Sequence, residues 1–283
     1  MSVDSSSSAA SASNLCSASS AASSEHPVPS WPVSSSEVWG RLLPELGHSR
    51  AIRFWLRLFL WMGRGRILKV HGLEHILSSN DPFILAVNHS QRWEALLLPA
   101  FLAFCRRGRL VHFFTDWLVL LYPVIGRIVL LHGPIIVTRK QAKLRILNFL
   151  RKRYEDPVPP FERARMVLAR GGTVGIFPEG IMNRDRTRLL RGYSGAAQLS
   201  LSSGVSVVPV GIRFPHGSTQ KPIGDLERME IEFGAPMRPP EHSTGTEGEV
   251  AKIRDWHAQI MQALSRLSGK QWAPENQRTT YVA

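Results

Sequence analysis

Short, nearly uninterrupted apolar runs recur along this chain, and they constrain its fold more than any other feature. Phe83–Val87, Pro134–Thr138, Thr173–Phe177, Ser206–Arg213 and Met229–Phe233 are rich in β-branched residues and are bounded by turn-formers. A strand with one wet face alternates apolar and polar residues. Most of these runs do not, which is the pattern of strands covered on both faces. Between them lie stretches of helical composition: Glu94–Cys105, Gln141–Tyr154, Pro160–Arg170 and Ser194–Ser202, with a closing helix over Gly248–Leu267. Gly171-Gly172 and Gly204 stand where helix stops belong. Strands alternating with helices predict an α/β fold, a largely parallel sheet flanked by helices.

The ends of the chain do not share this pattern. Residues 1–36 are Ser/Ala-rich with almost no large apolar groups, too little to offset the entropy of ordering them. Residues 1–40 are expected to be a disordered tail, 41–270 the folded domain and 271–283 a loose tail. The N-terminus has no apolar core of a secretory signal, and it lacks the basic residues of a transit peptide. Cys16 and Cys105 give neither a metal spacing nor a disulfide framework.

The formal charge is +13, and because residues 1–50 hold four acids and two bases, residues 51–283 carry +15. So basic a surface attracts phosphate, whether of nucleic acid, anionic lipid or a small substrate. No nucleic-acid-binding motif is present, so no nucleic acid partner is expected. No stretch reaches the ~18 apolar residues of a membrane span. The nearest, Trp117–Leu131, is cut by Pro123 and Arg127. Ala51–Met62 mixes Phe54, Trp55, Phe59 and Trp61 with Arg53 and Arg57, and Arg64 and Arg66 follow. That composition suits a helix lying in a bilayer surface, so a membrane-associated segment is expected at about 50–66. The alternative is an ordinary helix packed on the core.

Four groups along the chain carry chemistry. The run Phe83–Val87 leads into Asn88-His89-Ser90-Gln91-Arg92-Trp93-Glu94. A base needs one ring nitrogen fixed by an acceptor so that the other can take a proton, and Glu94 stands little more than a helical turn away. Gly133-Pro134-Ile135-Ile136-Val137-Thr138-Arg139 is a strand ending in arginine, which matches phosphate bidentately. Phe177-Pro178-Glu179-Gly180 ends another strand in a tight turn, where Glu179 is placed to hydrogen-bond a hydroxyl or pair with a base. Asn183, Arg184, Arg186 and Arg188 follow, a composition that suits a phosphate clamp. Val208-Pro209-Val210 sets a proline inside an apolar strand, either at a bulge beside the site or where no ladder bond is needed. Each group also has a structural reading: a His…Glu pair holding a turn, a solvated helix start, a charged loop.

Taken together in this order, the groups resemble the glycerolipid acyltransferases, in particular the 1-acylglycerol-3-phosphate (lysophosphatidic acid) type, over roughly residues 50–235. The family's Asn-His-x4-Asp block is matched by Asn88 and His89 with Glu94 in place of Asp. Its Gly-x-Ile-x3-Arg block is matched by Gly133, Ile135 and Arg139. Its Phe-Pro-Glu-Gly block is matched by Phe177–Gly180, but Ile181-Met182-Asn183 stands where Thr-Arg-Ser follows in the family. Its Val-Pro-Val strand is matched by Val208–Val210. The resemblance implies that His89, oriented by Glu94, deprotonates an acceptor hydroxyl. It also implies that Gly133, Arg139, Glu179, Gly180, Arg184 and Pro209 form the substrate-binding set. Acyl-CoA or an acyl carrier protein is the implied donor, a lysophospholipid the acceptor and a membrane surface the workplace, on its cytoplasmic side. Neither cofactor nor metal is implied. The missing arginine at Met182 leaves open a different lysolipid or a lipid-linked alcohol as acceptor, and an inactive membrane-binding homologue is a further alternative.

Overall fold

The structure, a computed structural model, describes residues 31–47, 50–142, 144–218, 220–241 and 246–275. Its centre is a seven-stranded sheet. The strands are β1 (Ile67–His71), β2 (Ile84–Val87), β3 (Val111–Asp116), β4 (Ile135–Val137), β5 (Thr173–Ile176), β6 (Val207–Arg213) and β7 (Met229–Phe233), in the order β1-β7-β6-β2-β5-β3-β4. Neighbours are parallel except for β6 and β7. The helices are α1 (Ser35–Gly40), α2 (Arg50–Gly63), α3 (Glu94–Cys105), α4 (Pro123–Leu131), α5 (Pro160–Ala169), α6 (Gly195–Ser203) and α7 (Thr246–Ser268).

The continuous apolar strands do bury both faces. Along β2, Leu85 and Val87 pack with α2 and α3, whereas Ile84 and Ala86 pack with α5, α6 and α7. The helix after β2 thus lies on one face and the helix after β5 on the other, although the two strands are hydrogen-bonded neighbours. Adjacent strands whose connections leave in opposite directions open a crevice at their carboxyl ends, where ligands of open α/β sheets bind.

Several boundaries differ from the sequence expectation. The fold begins before residue 41. Ser34 caps α1 by accepting from the Glu37 N–H, Val33 and Val38 are buried, and Trp31 Nε1 donates to the Ile67 carbonyl at 2.7 Å. It also extends past 270, because Gln271 exchanges backbone hydrogen bonds with Thr187 and Leu189 and Trp272 Nε1 donates to the Arg191 carbonyl. Residues 1–30 and 276–283 lie outside the described residues. β1 and β3 were not expected: each carries polar residues at alternate or terminal positions, unlike the apolar runs. The segment expected as a helix over Gln141–Tyr154 is a 3-10 helix over Arg145–Tyr154 with no buried residue.

α2 packs on the core through one face and leaves apolar groups exposed on another. Leu56 and Leu60 are buried against the core, while Phe54, Trp61 and Met62 are exposed. Arg53 and Arg57 of this helix, and Arg64 and Arg66 just after it, do not stand free. Arg57 donates to the Arg41 carbonyl, Arg53 to the Gly47 carbonyl, Arg64 to the Trp61 carbonyl and Ser35 Oγ, and Arg66 to the Leu226 carbonyl. No helix among the described residues is long and apolar enough to cross a membrane.

At the amino end of the sheet, a buried ion cluster ties loops to strands. Arg106 pairs with Asp81 and also donates to Thr173 Oγ1 (3.1 Å) and the Ile76 carbonyl (2.9 Å). Arg109 approaches the second Asp81 oxygen at 2.9 Å.

Candidate active site

His89 leaves the end of β2 two residues after Val87 and sits over the crevice between β2 and β5. Its Nδ1 lies 2.9 Å from Glu94 Oε2, and the same oxygen accepts from the Ser90 N–H at 2.7 Å. Glu94 is the first residue of α3 and is fully buried. Its carboxylate therefore meets both a ring N–H and the positive end of a helix. The extra methylene relative to aspartate is absorbed because the side chain folds back over the helix start. With Nδ1–H donating to Glu94, Nε2 carries the lone pair. It has no partner among the described residues, and the ring is 17% exposed. One face of the imidazole rests on Phe177, with ring centroids 4.5 Å apart.

The peptide of His89 is gripped on both sides by the loop after β5. Glu179 Oε1 accepts from the His89 N–H at 3.2 Å, and the Asn183 N–H donates to the His89 carbonyl at 2.7 Å. Glu179 Oε2 takes the Leu190 N–H (2.9 Å) and Asn183 Nδ2 (2.7 Å). Burial pushes the Glu179 carboxyl above its ordinary value, opposed by these hydrogen bonds and by Lys270. Asn88, one residue before His89, reads the end of β6: its Nδ2 donates to the Ile212 carbonyl (3.1 Å) and its Oδ1 accepts the Ile212 N–H (2.7 Å).

The expected substrate-binding set is only partly assembled here. Glu179 belongs to the site but is turned inward as an acceptor for backbone N–H groups, not outward to a hydroxyl. Gly180 serves the turn. It has φ 69°, and a Cβ there would come within 2.4 Å of the Tyr193 ring, so any side chain would be strained as well as crowded. Arg184 is not free for phosphate, because it donates to the Ile223 carbonyl and to Asp225, each at 2.7 Å. Arg186 is likewise closed onto both Glu227 oxygens. These pairs clasp the loop between β6 and β7, since each arginine has a carboxylate opposite it. Gly133 precedes β4 and so lies at the amino end of that strand, away from the crevice. Pro209 is buried opposite Ala86, mid-strand. It forms no bulge beside the site, and its carbonyl accepts from Gly234 just past the end of β7. Arg139 follows β4 at the carboxyl edge, exposed and with no partner among the described residues. β5 and β3 separate β4 from β2, roughly 14 Å at the usual strand spacing.

Sequence reasoning missed Lys270. Placed in the last residue before an expected loose tail, it is buried, and its Nζ donates to Ser90 Oγ at 2.8 Å. The backbone brings it there because Gly211 on β6 lets the end of α7 approach: a Cβ at 211 would lie 2.2 Å from the Leu267 carbonyl carbon. No signal in the local sequence marks this contact.

A histidine whose tautomer is fixed by a carboxylate, in a partly open crevice, is equipped to deprotonate a hydroxyl. Cys105 is buried, its thiol pushed up by that burial, which leaves it unsuited to nucleophilic attack. Among the described residues no group of His, Cys, Asp or Glu is arranged to hold a metal ion.

Comparison with known proteins bears on the fold and the family. In fold, the chain is similar to the 1-acyl-sn-glycerophosphate (LPA) acyltransferase PlsC from Thermotoga maritima, with a TM-score of 0.50 and 19% identity over 78% of this chain and 79% of that one. No curated protein sequence matches it significantly. The model of the acyltransferase family matches residues 67–213, from the first residue of β1 to the last of β6 and across His89, Glu94, Arg139 and Glu179; the chain belongs to the acyltransferase family.

Proposed function

We propose that this acyltransferase moves a fatty acyl group from an acyl thioester, acyl-CoA or acyl carrier protein, to the free hydroxyl of a lysophospholipid at a membrane surface. The first choice of acceptor is 1-acylglycerol-3-phosphate, which would place the enzyme in phospholipid biosynthesis. The observation that carries the reading is the His89–Glu94 pair with Nε2 open to the crevice. Nε2 takes the acceptor's proton as the hydroxyl oxygen attacks the thioester carbonyl. Collapse of the tetrahedral intermediate breaks the C–S bond, and the imidazolium returns its proton to the departing thiolate. The exposed apolar groups of α2 support the membrane surface. So does the segment after β4, where Leu144, Ile146 and Phe149 are 67, 75 and 69% exposed among Arg145, Arg151, Lys152 and Arg153.

A test is acyl transfer from long-chain acyl-CoA and acyl carrier protein to a panel of lysolipids. His89→Ala should cut turnover by ~10²–10⁴-fold, the range of positioned base catalysis, and a variant keeping more than about a tenth of wild-type activity would remove His89 from that role. A second reading, a neutral lipid-linked alcohol as acceptor, is favoured by the commitment of Arg184 and Arg186 to internal carboxylates. That leaves Arg139, at the sheet edge, to meet a phosphate. Arg139→Ala should lower efficiency ~10–100-fold on lysophosphatidic acid, the worth of a charge-assisted phosphate contact. An equal loss on a neutral acceptor would make Arg139 structural.

A further inference from the structure

The most unusual group outside the base pair is Lys270. It lies two residues past α7, is 3% exposed, and its Nζ has one hydrogen-bond partner among the described residues, Ser90 Oγ at 2.8 Å. A lysine is rarely buried unless its charge is matched. Burial pushes its ammonium below the ordinary lysine value, and Arg186 adds to this, whereas Glu179, Glu94 and Asp185 oppose it and favour the charged form. Two of these carboxylates, Glu94 and Glu179, are themselves buried, and each holds a different part of His89: the ring and the backbone N–H. Glu94 Oε1 has no hydrogen-bond partner among the described residues. The Ser90 to which Lys270 donates is the residue whose N–H fixes the other Glu94 oxygen.

We propose that Lys270 is a positioning residue for acyl transfer: its buried ammonium balances the two buried carboxylates of Glu94 and Glu179 and, through Ser90, holds the turn that presents Glu94 to His89. This rests on His89 being the base. Lys270 touches no reacting atom. It sets the field in which the imidazole gains and loses its proton, and it restrains the carboxylate that chooses the tautomer. The other charged groups that act on Lys270 are Asp185 and Arg186, both on the loop after β5. Arg186 is tied to both Glu227 oxygens, so it does not replace Lys270.

The experiment is a pH–rate profile of the full chain on the best thioester and lysolipid, comparing wild type with K270M, K270R, S90A and H89A. Removing the cation leaves the carboxylates uncompensated, which favours imidazolium. In K270M the acid limb of kcat/KM should therefore move to higher pH by at least about half a unit. Its kcat should fall about tenfold or more with both KM values within roughly threefold. K270R keeps the charge and should hold the acid limb in place and recover most of the rate. S90A keeps the charge but loses the tether, so kcat should fall about fivefold with the limb unmoved. A folded K270M with wild-type kcat and acid limb would overturn the proposal. So would K270R and K270M equally impaired with neither limb moved, because that is the behaviour of a packing residue. Should K270M fail to fold, S90A decides: a wild-type rate there overturns the proposal. H89A reports separately on the base, since activity retained in H89A would remove the underlying reading, whereas an unchanged K270M beside a dead H89A removes only the role of Lys270.

Discussion

Glu94→Asp would give this chain the aspartate that the resemblance leads one to expect, yet the structure says it should be harmful here. Glu94 Oε2 sits 2.9 Å from His89 Nδ1 and 2.7 Å from the Ser90 nitrogen. Removing one methylene withdraws the carboxylate by ~1.5 Å, one C–C bond length, which takes both contacts to roughly 4 Å, outside hydrogen-bonding range. The helix start cannot slide to follow, because Leu97, Leu98 and Phe101 of α3 are fully buried in close-packed core. Losing a charge-assisted hydrogen bond to the base costs ~1.5–3 kcal/mol, or about 10–100-fold in rate. The loss should fall on kcat, since substrate contacts are untouched. The assay is continuous detection of the released thiol, with Glu94→Gln as the companion variant that keeps the arm length and loses the charge. A Glu94→Asp enzyme as active as wild type, with its thermal unfolding unchanged, would refute the claim that this arm length sets the base.

Other expectations follow from features remote from the base. Arg106→Met should destabilise the fold by about 3–5 kcal/mol, because it leaves Asp81 buried with part of its pairing removed, read from the urea midpoint. Activity per folded molecule should be unchanged. His132 and His257 are pushed below the ordinary imidazole value, chiefly by burial. Each therefore adds stability at neutral pH, above the unfolded value, that is lost as pH falls from about 6.5 toward the folded value. Glu179, shifted up by burial, has the opposite sign, so the readout is the difference between wild type and His132→Gln/His257→Gln, which should shrink on acidification. Replacing Leu144, Ile146 and Phe149 by serine should weaken co-sedimentation with anionic vesicles about tenfold or more, at roughly 1 kcal/mol for each inserted side chain. Equal recovery of both proteins would leave α2 as the anchor.

The parts of the site that sequence made legible are those held by local spacing. His89 and Glu94 are five residues apart, and strand end and helix start fix their distance. The parallel sheet was legible because burial on both faces writes itself as uninterrupted apolar runs. Strands β1 and β3, with polar residues at alternate or terminal positions, lacked that mark. The roles of Glu179, Arg184 and Arg186 were not legible. Whether a strand-end carboxylate faces substrate or protein depends on which N–H groups lie buried beneath it, here those of His89 and Leu190. Whether a loop arginine is free depends on carboxylates such as Asp225 and Glu227, 41 positions further along. Lys270 was hidden for the same reason, and a polar residue after a terminal helix is ordinarily solvated.

The moorings of His89 also bear on the order in which the site is assembled. The pair itself is local, but Asn88, His89 and Ser90 are fastened to partners 124, 90 and 180 residues away. Such distant closures are the slow, late events of folding. In a chain emerging from the ribosome, His89 and Glu94 are therefore expected to meet well before the distant closures that hold them in the folded protein. The last of these closures waits on the residues near 270, which must emerge and dock behind Gly211 before Ser90 gains its buried partner.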